Sequence, residues 1–418
     1  MSAAPLLRDA PWLKSGATAR VLGILNADGE EARVAGGAVR NALLDLPIGD
    51  IDIATTALPD EVIRRAKAAH IKSVPTGIEH GTVTLVIDGQ PFEVTTLRED
   101  IETFGRKAKV AFGRDWKRDA MRRDFTINGL FATSDGVVHD EVDGLADIAA
   151  RRVRFIGDPA QRIAEDYLRI LRFFRIHAAY GEGAPDCAGY EACIAGRDGL
   201  SGLSAERIRM EMLKLMIAKR AADALVAMDD AGLLVRLTAG VVYHGAFANM
   251  VAIEHELGMA PDAILRLGAL AVAVTEDAKR LSQRWRLSNA ETKRLDSMGH
   301  RWWRAAGMDE AIAQRRLYRL GAPRYRDRML LAWARAGRDF DGPRWRALTT
   351  LPERWTPPVF PLKAADFIVR GIAEGPALGH VLALAEDGWL ALQFPLEDAA
   401  LKAIADDTVA KFTRDHRL

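Results

Sequence analysis

The chain has 418 residues, of which 49% are hydrophobic and 28% charged, with a net charge of +1. It exceeds one ordinary domain and describes a folded soluble protein able to bury substantial cores. No run of 18 apolar residues occurs and the N-terminal MSAAPLLRDAPWLK has no apolar h-region, which argues against a membrane span or a signal peptide and leads us to expect a cytoplasmic protein. The two cysteines, Cys187 and Cys193, lie in a Gly-rich polar stretch without metal-ligand spacing and read as reduced bystanders.

Residues 8–31 read as a short helical lead-in, with Pro11, Trp12 and Leu13 packing on the first domain. The next stretch, VAGGAVRNALLDLPIGDIDIAT from Val34 to Thr55, carries chemistry. Arg33-Val34-Ala35 leads into a tight turn at Gly36-Gly37, where missing side chains let the backbone approach an anion. A helix starting over 38–45 adds free N–H groups, and Arg40, which attract phosphate. If Gly49 to Ala54 is extended, alternation points Asp50 and Asp52 one way and Ile51 and Ile53 into the core. A Gly-Gly turn alone is an ordinary turn and an acidic pair alone is a solvated surface. Together, a phosphate cradle and paired carboxylates read as a metal-dependent nucleotidyl-transfer site.

GGAVRN followed by GDIDIAT resembles the signature of the DNA polymerase beta-like nucleotidyltransferases, in the branch that holds bacterial tRNA CCA-adding enzymes and poly(A) polymerases. One departure is Asn41, where that family usually has Asp. The resemblance implies an α+β head built on a mixed sheet, followed by an all-α neck, body and tail.

LPDEVIRRAKAAH (58–70) is an amphipathic helix opened by Pro59 and Asp60. Gly81 to Ile87 and Phe92 to Leu97 read as two strands joined by a tight Asp88-Gly89 turn. Glu93 shares a face with Thr95, as a third metal carboxylate or as an edge-strand surface residue. Residues 98–118 mix charges with Gly105 and Gly113 and suit a mobile connection; in the family this region resembles the flexible loop that assists the change from adding C to adding A. RRDFTINGLF (122–131) sets Phe125, Ile127 and Leu130 at helical spacing and resembles the RRDxxINA motif. That resemblance implies that Arg123 contacts the triphosphate while Asp124 and Asn128 fix the ribose. Gly129 replaces the usual alanine and is expected to weaken the helix by ~1 kcal/mol. A strand pair at Val137 to Asp140 and Arg152 to Phe155 follows, and the Gly157-Asp158-Pro159 break then closes the head. His139-Asp140 has no companion histidines at useful spacing, so no phosphohydrolase pattern is present.

EDYLRILRFFRIHAAYG (165–181) reads as a helix on which Asp166, Arg169, Arg172 and Arg175 form a polar stripe beside an apolar one. From spacing alone this is a wet face. The sequence closely resembles the EDxxRxLRAxRF motif of the same family, with Phe173 and Phe174 in place of smaller or different residues, and the resemblance implies a nucleotide-selecting helix. Cytosine and adenine both present an exocyclic amine beside a ring-nitrogen acceptor. Asp166 can accept from the amine and Arg169 can donate to the ring nitrogen, whereas uracil sets a carbonyl against the carboxylate, a mismatch of ~1–3 kcal/mol. By the same resemblance Arg172 and Arg175 extend the nucleotide contact. LSAERIRMEMLKLM (203–216) starts at Ser204, buries Ile208, Met212, Leu213 and Met216, and resembles a motif bracing that helix.

Residues 281–346 hold fifteen arginines and Lys293 against about seven acids, interleaved with Trp285, Trp302, Trp303, Tyr318, Tyr325 and Trp345. Basic helices with aromatics suit RNA, although the aromatics equally suit a core. The expected division is a catalytic head at 1–155, a neck at 156–220, a basic RNA-binding body at 221–355 and a tail at 356–418. The implied activity is template-independent addition of CMP and AMP, from CTP and ATP, to the tRNA 3′ end. Asp50 and Asp52 would hold Mg²⁺; Gly37, Arg40 and Arg123 would grip the triphosphate. A poly(A) polymerase, a CC- or A-adding specialist and a catalytically dead RNA-binding protein are the competing readings. Neither a membrane nor a protein partner is implied.

Overall fold

A computed structural model describes residue 7 and residues 10–104 and 107–415. The chain divides into two compact units, Met1–Val242 with Gln283–Arg286, and Tyr243–Ser282 with Leu287–Leu418.

The first unit opens with α1 (Pro11–Lys14) and α2 (Gly16–Leu25), so the lead-in is two helices with Leu13 buried; residues 8 and 9 lie outside the described ones. A seven-stranded mixed sheet follows, in the order β3-β4-β5-β2-β1-β8-β9. Its strands are β1 (Ala32–Ala35), β2 (Asp52–Thr55), β3 (Lys72–Gly77), β4 (Thr82–Ile87), β5 (Gln90–Thr96), β8 (Leu130–Ala132) and β9 (Val138–Asp140). Only β2 and β5 run parallel among these pairs. The β4–β5 hairpin forms as expected because Asp88 (φ 52°) and Gly89 (φ 81°) both take the left-handed conformation that a two-residue hairpin turn requires. Helix α3 (Gly37–Leu43) follows β1, and α4 (Pro59–Ala68) has Pro59 first, Asp60 and Glu61 in its first turn and Arg65 and Lys67 in its last.

Three local expectations are corrected. Residues 98–118 are not a plain loop. They form a separate hairpin, β6 (Arg98–Phe104) and β7 (Lys107–Phe112), then α5 (Trp116–Met121), whose N–H groups at Lys117 and Arg118 donate to the Asp115 carboxylate; Gly105 lies outside the described residues. Residues 122–131 are not a helix. A single 3-10 turn at Thr126–Asn128 leads straight into β8, so the helical penalty assigned to Gly129 does not arise. Finally, β9 pairs with β8 rather than with 152–155; Phe155 makes only an isolated bridge to Phe125, and α6 (Gly144–Ala149) occupies the intervening stretch.

The all-α remainder begins with α7 (Pro159–Glu165), α8 (Leu168–Tyr180), α9 (Cys187–Ala195), α10 (Ala205–Met216), α11 (Ala221–Asp230) and α12 (Leu234–Thr238). The two phenylalanines of α8 explain their own presence. Phe173 stacks on Phe155 at 5.4 Å between centroids, Phe155 sits 4.9 Å from Phe125, and Phe174 meets Tyr190, so one aromatic core joins the head to α8 and α9. Arg162, on α7, adds hydrogen bonds to the carbonyls of Arg122 and Arg123.

The second unit is helical. Its α13 (His244–Glu256) and α14 (Ala263–Ala271) share the buried pair Arg266–Glu254, 2.6 Å apart. Then come α15 (Thr275–Trp285), whose end reaches back into the first unit's residue range, α16 (Asn289–Gly299), α17 (Glu310–Leu320), α18 (Ala322–Ala336), α19 (Gly342–Thr349) and α20 (Leu351–Arg354). Tyr325, Trp333 and Trp345 are fully buried here. A last cluster around Phe367, Trp389 and Phe394 unites α21 (Ala364–Ile368), α22 (Pro376–Ala391) and α23 (Asp398–Asp415). No helix among the described residues is long and apolar enough to cross a membrane.

Candidate active site

Sheet register assembles the site from distant parts of the chain. Asp52 opens β2 opposite Ala35 of β1 on one side and Glu93 of β5 on the other. Ala35 also pairs with Phe131 of β8, and the Gly36 N–H donates to the Leu130 carbonyl at 2.9 Å. Thus the glycine turn, the aspartates, Glu93 and the Asn128 turn all lie at one end of four neighbouring strands. The alternation read from sequence holds: Asp50 and Asp52 are exposed while Ile51 and Ile53 are buried.

Gly36, not Gly37, is the glycine that the turn demands. Its φ is +67°, and a Cβ there would meet Arg123 Nη1 at 3.2 Å and the Asn128 carbonyl at 3.3 Å, whereas one on Gly37 would find only ordinary contact with Arg40. Arg123 is anchored by Asp119, with Nη2 to Oδ2 at 3.1 Å. Arg40 is buried and donates to Asn41, Asn128 and Tyr180.

The carboxylates repel one another. Desolvation, reinforced by Glu93 and then by Asp50 against the opposing pull of Arg123, pushes the Asp52 carboxyl up to about 6. That is the electrostatic signature of a site that gains from a divalent cation. Among the described residues no group of three His, Cys, Asp or Glu side chains is arranged to hold a metal alone. Two carboxylates completed by substrate oxygens and water are nevertheless the donor set that suits Mg²⁺.

A cleft of about 420 Å³ joins these groups to α8, with Gly36, Gly37, Arg40, Asp52, Arg123, Asp124 and Asn128 on the head side. Asp166, Arg169, Arg172 and Arg175 line the other side. Eleven residues were expected in this site, and ten of them are here; Asp50 is outside the lining but adjoins Asp52 in the strand alternation.

Residues 32–154 match the family model described as the poly A polymerase head domain, and residues 190–239 match that described as a probable RNA and SrmB-binding site of polymerase A. CCA tRNA nucleotidyltransferase 1, mitochondrial, of Danio rerio is 33% identical over 369 residues, covering 86% of this chain and 83% of the relative. The CCA-adding enzyme of Limosilactobacillus fermentum is 33% identical over 375 residues, covering 87% and 89%. The chain belongs to the family of CCA tRNA nucleotidyltransferases and poly(A) polymerases. The crystal structure of the Bacillus stearothermophilus CCA-adding enzyme in complex with CTP is similar throughout, with a TM-score of 0.74 at 25% identity over 95% of this chain and 98% of that one.

Within this nucleotidyltransferase, the polar stripe of α8 needs one correction. Asp166 is not on the helix. It is extended (φ −156°, ψ 105°) between α7 and α8, because its Oδ1 accepts from the Leu168 N–H at 3.1 Å and so terminates α7 and starts α8. Its Oδ2 accepts from Arg207 of α10 at 2.6 Å. Among the described residues, Arg169 donates through Nη1, to the Arg162 carbonyl and Glu165, and makes no hydrogen bond through Nε or Nη2.

Sequence reasoning missed the partners. Glu211 of α10 is 1% exposed and takes Arg175 at 2.5 Å, with Arg172 3.8 Å away. A glutamate beside Met212, inside the apolar stripe of 203–216, was the available signal. Arg207, Tyr180 and Asp119 had none, because each acts through a partner whose position only the fold supplies. On α10 itself, Met212 and Met216 are buried as expected, but Leu215 and Glu211 take the places given to Ile208 and Leu213, and Ser204 stands at the N-cap without a side-chain bond.

The basic stretch 281–346 is resolved in part. Trp285, Tyr325 and Trp345 are core residues; Trp303 is 49% exposed. In the second unit, α17, α18 and the turn at 300–304 enclose a cleft of about 320 Å³ lined by Arg301, Arg304, Arg315, Arg316, Arg319, Arg328 and His300 and by no acidic residue. Among the described residues, the side chains of Arg301, Arg304 and Arg315 have no hydrogen-bond or ion-pair partner. Burial and the neighbouring Arg304 hold Arg316 below the ordinary arginine pKa.

Proposed function

We propose that this protein adds CMP and AMP, from CTP and ATP, to the 3′ end of tRNA without a nucleic-acid template and with release of pyrophosphate. The observation that carries this reading is the single cleft whose head side presents Gly36, Arg40, Asp52 and Arg123 and whose helical side presents Asp166 and Arg169. Phosphate and metal groups at one end, with a base-reading pair at the other, suit a nucleoside triphosphate held by protein alone.

The paired state of the reading residues supports their role. Arg207 and the Leu168 N–H fix Asp166 while each carboxylate oxygen keeps a lone pair, so an exocyclic amine can still be accepted. Nε and Nη2 of Arg169, which bond to none of the described residues, can donate to the adjacent ring nitrogen. Arg172 and Arg175 hold the helix in place through Asp124 and Glu211 and bring positive charge to the nucleotide. Gly37 and Arg40 join Arg123 on the triphosphate; Asp124 and Asn128, themselves hydrogen-bonded at 3.1 Å, serve the ribose.

Asp50 and Asp52 are the residues that would hold Mg²⁺, and Glu93, in register with Asp52, is a neighbouring third carboxylate. A divalent cation there supplies Lewis-acid activation of the RNA 3′-hydroxyl and neutralises the leaving pyrophosphate. Residues 1–155 act as head, 156–220 as neck, 221–355 as body and 356–418 as tail. The arginine cleft between α17 and α18 supports a phosphate-gripping role for the body.

The test is incubation with tRNA lacking its CCA end and, separately, with an oligo(A) primer. Two C and one A on the tRNA, then a stop, is the expected product; a long A tract on the oligo(A) instead would make the protein a poly(A) polymerase. Asp166→Ala should cut discrimination against UTP by roughly ten- to a hundredfold, while a folded variant as selective as the wild type would remove the base-reading assignment.

A further inference from the structure

We propose that Tyr180 is a positioning residue that aims Arg40 into the nucleotide cleft without neutralising it, so that a triphosphate becomes the counter-charge. The proposal rests on the nucleotidyltransferase reading above and adds a residue to it.

Arg40 is only 7% exposed, a degree of burial at which other arginines of this chain are paired with carboxylates: Arg266 with Glu254 at 2.6 Å and Arg65 with Glu61. Among the described residues Arg40 forms no ion pair with a carboxylate. Its partners are neutral. Nε and Nη2 donate to Asn41 Oδ1 at 3.2 and 2.9 Å, Nη1 donates to Asn128 Oδ1, and Nη2 donates to the Tyr180 hydroxyl at 2.7 Å. The guanidinium carbon also lies 3.7 Å from the centroid of the Tyr180 ring. A guanidinium has five N–H bonds, and these interactions occupy four of them.

Neutral acceptors orient a cation without cancelling its charge, and a buried cation left in that state is costly until an anion arrives. Asn41 contributes an oxygen where an aspartate would have made an ion pair. Tyr180 contributes twice, as an acceptor and through its ring face. Burial draws the Arg40 pKa down, and Tyr180 followed by the carboxylate of Asp124, which forms no ion pair with Arg40 among the described residues, draws it back. Tyr180 is also the last residue of α8, the helix that carries Arg169, Arg172 and Arg175. One helix therefore presents the base-reading Arg169 near its start and sets the phosphate-seeking cation at its end.

The test uses the full-length protein, titrated with CTP, ATP and cytidine, alongside steady-state CTP, ATP and UTP incorporation. For Tyr180→Leu, KM and Kd for both triphosphates should rise ~10-fold, with cytidine affinity and the CTP-over-UTP preference unchanged. Tyr180→Phe keeps the ring and the packing and should raise them only ~2–3-fold, with an unshifted melting curve. Because Tyr180 acts through Arg40, Tyr180→Leu should add nothing to Arg40→Gln in a double-mutant cycle. Equal losses for CTP and cytidine, additive effects in the cycle, or unchanged CTP affinity would each overturn the proposal. A wild-type protein that fails to extend tRNA would remove the proposed function instead, and the CTP and cytidine titrations would still decide the role of Tyr180.

Discussion

Arg172 of α8 donates through Nε to one oxygen of Asp124 at 2.7 Å, with Nη2 in ion-pair contact with the same oxygen at 2.5 Å, and so ties the helix to the turn between α5 and β8. Burial pushes the Asp124 carboxyl up, but Arg172, Asn128 and the Phe125 N–H together outweigh it and hold the group below the usual carboxylate range. A depressed carboxylate contributes stability that is present above its unfolded pKa and lost as pH falls through the folded one. Asp124→Asn should therefore lower the denaturation free energy at pH 7 by ~2 kcal/mol, and the difference from wild type should begin to shrink below pH ~4, the unfolded value, and close as pH falls through the lower folded one. Urea titrations at pH 7 and at successive pH values below ~4 measure both; a difference that does not shrink as pH falls below ~4 would place the loss elsewhere.

Asp52 has the opposite sign. Its folded pKa, pushed up to about 6, lies above the unfolded value, so the ionised group costs stability that is fully felt above pH 6 and absent below pH ~4. In metal-free buffer, Asp52→Asn should stabilise the protein by ~1 kcal/mol at pH 7.5, after solvent screening at the open cleft, and give no gain at pH 4. The same variant should abolish nucleotide incorporation while leaving tRNA affinity nearly intact. Denaturation with chelator at the two pH values is the measurement, and equal shifts at both would contradict the assignment.

If the arginine cleft of the second unit grips phosphates, replacing Arg301, Arg304 or Arg315 should weaken tRNA binding and flatten its salt dependence by ~1 unit of log–log slope for each phosphate left unneutralised. Arg294 provides the contrast. It is already committed to Asp262 and Asp327, both at 2.7 Å, so Arg294→Ala should lower stability and leave the slope alone. A salt slope that ignores all three cleft arginines would make them a solvated face.

Gly129 is held by packing rather than by backbone conformation. A Cβ there would lie 2.6 Å from Val142 Cγ2 and 3.3 Å from Ile156 Cδ1. Gly129→Ala should cost ~1–2 kcal/mol by overpacking, and Val142→Ala should recover most of it in the double variant. Thermal melting of the three proteins is sufficient, and a neutral Gly129→Ala would show that the turn relaxes freely.

Local features were legible wherever one segment contains its own cause. The alternation of Asp50, Ile51, Asp52 and Ile53, the Asp88-Gly89 turn and the Pro-initiated amphipathic helix α4 each follow from a few adjacent residues. The hairpin of β6 and β7 was not legible, because charged sequence hides strands whose stability comes from cross-strand backbone bonds. The RRDFTINGLF stretch shows the converse: helical spacing of Phe125, Ile127 and Leu130 was equally compatible with a 3-10 turn and a strand, and pairing with β1 and β9 decided between them.

The site divides along the same line. Sequence by itself determined which side chains line the cleft, since carboxylates, arginines and glycines must be encoded where they stand. Tertiary structure decided their working state. Asp166 is aimed by Arg207, Arg175 by Glu211 and Arg40 by Tyr180, across separations of 41, 36 and 140 residues. Those pairings depend on where sheet register and helix packing deliver each partner, and no local periodicity encodes a distance between segments that meet only when the chain has folded.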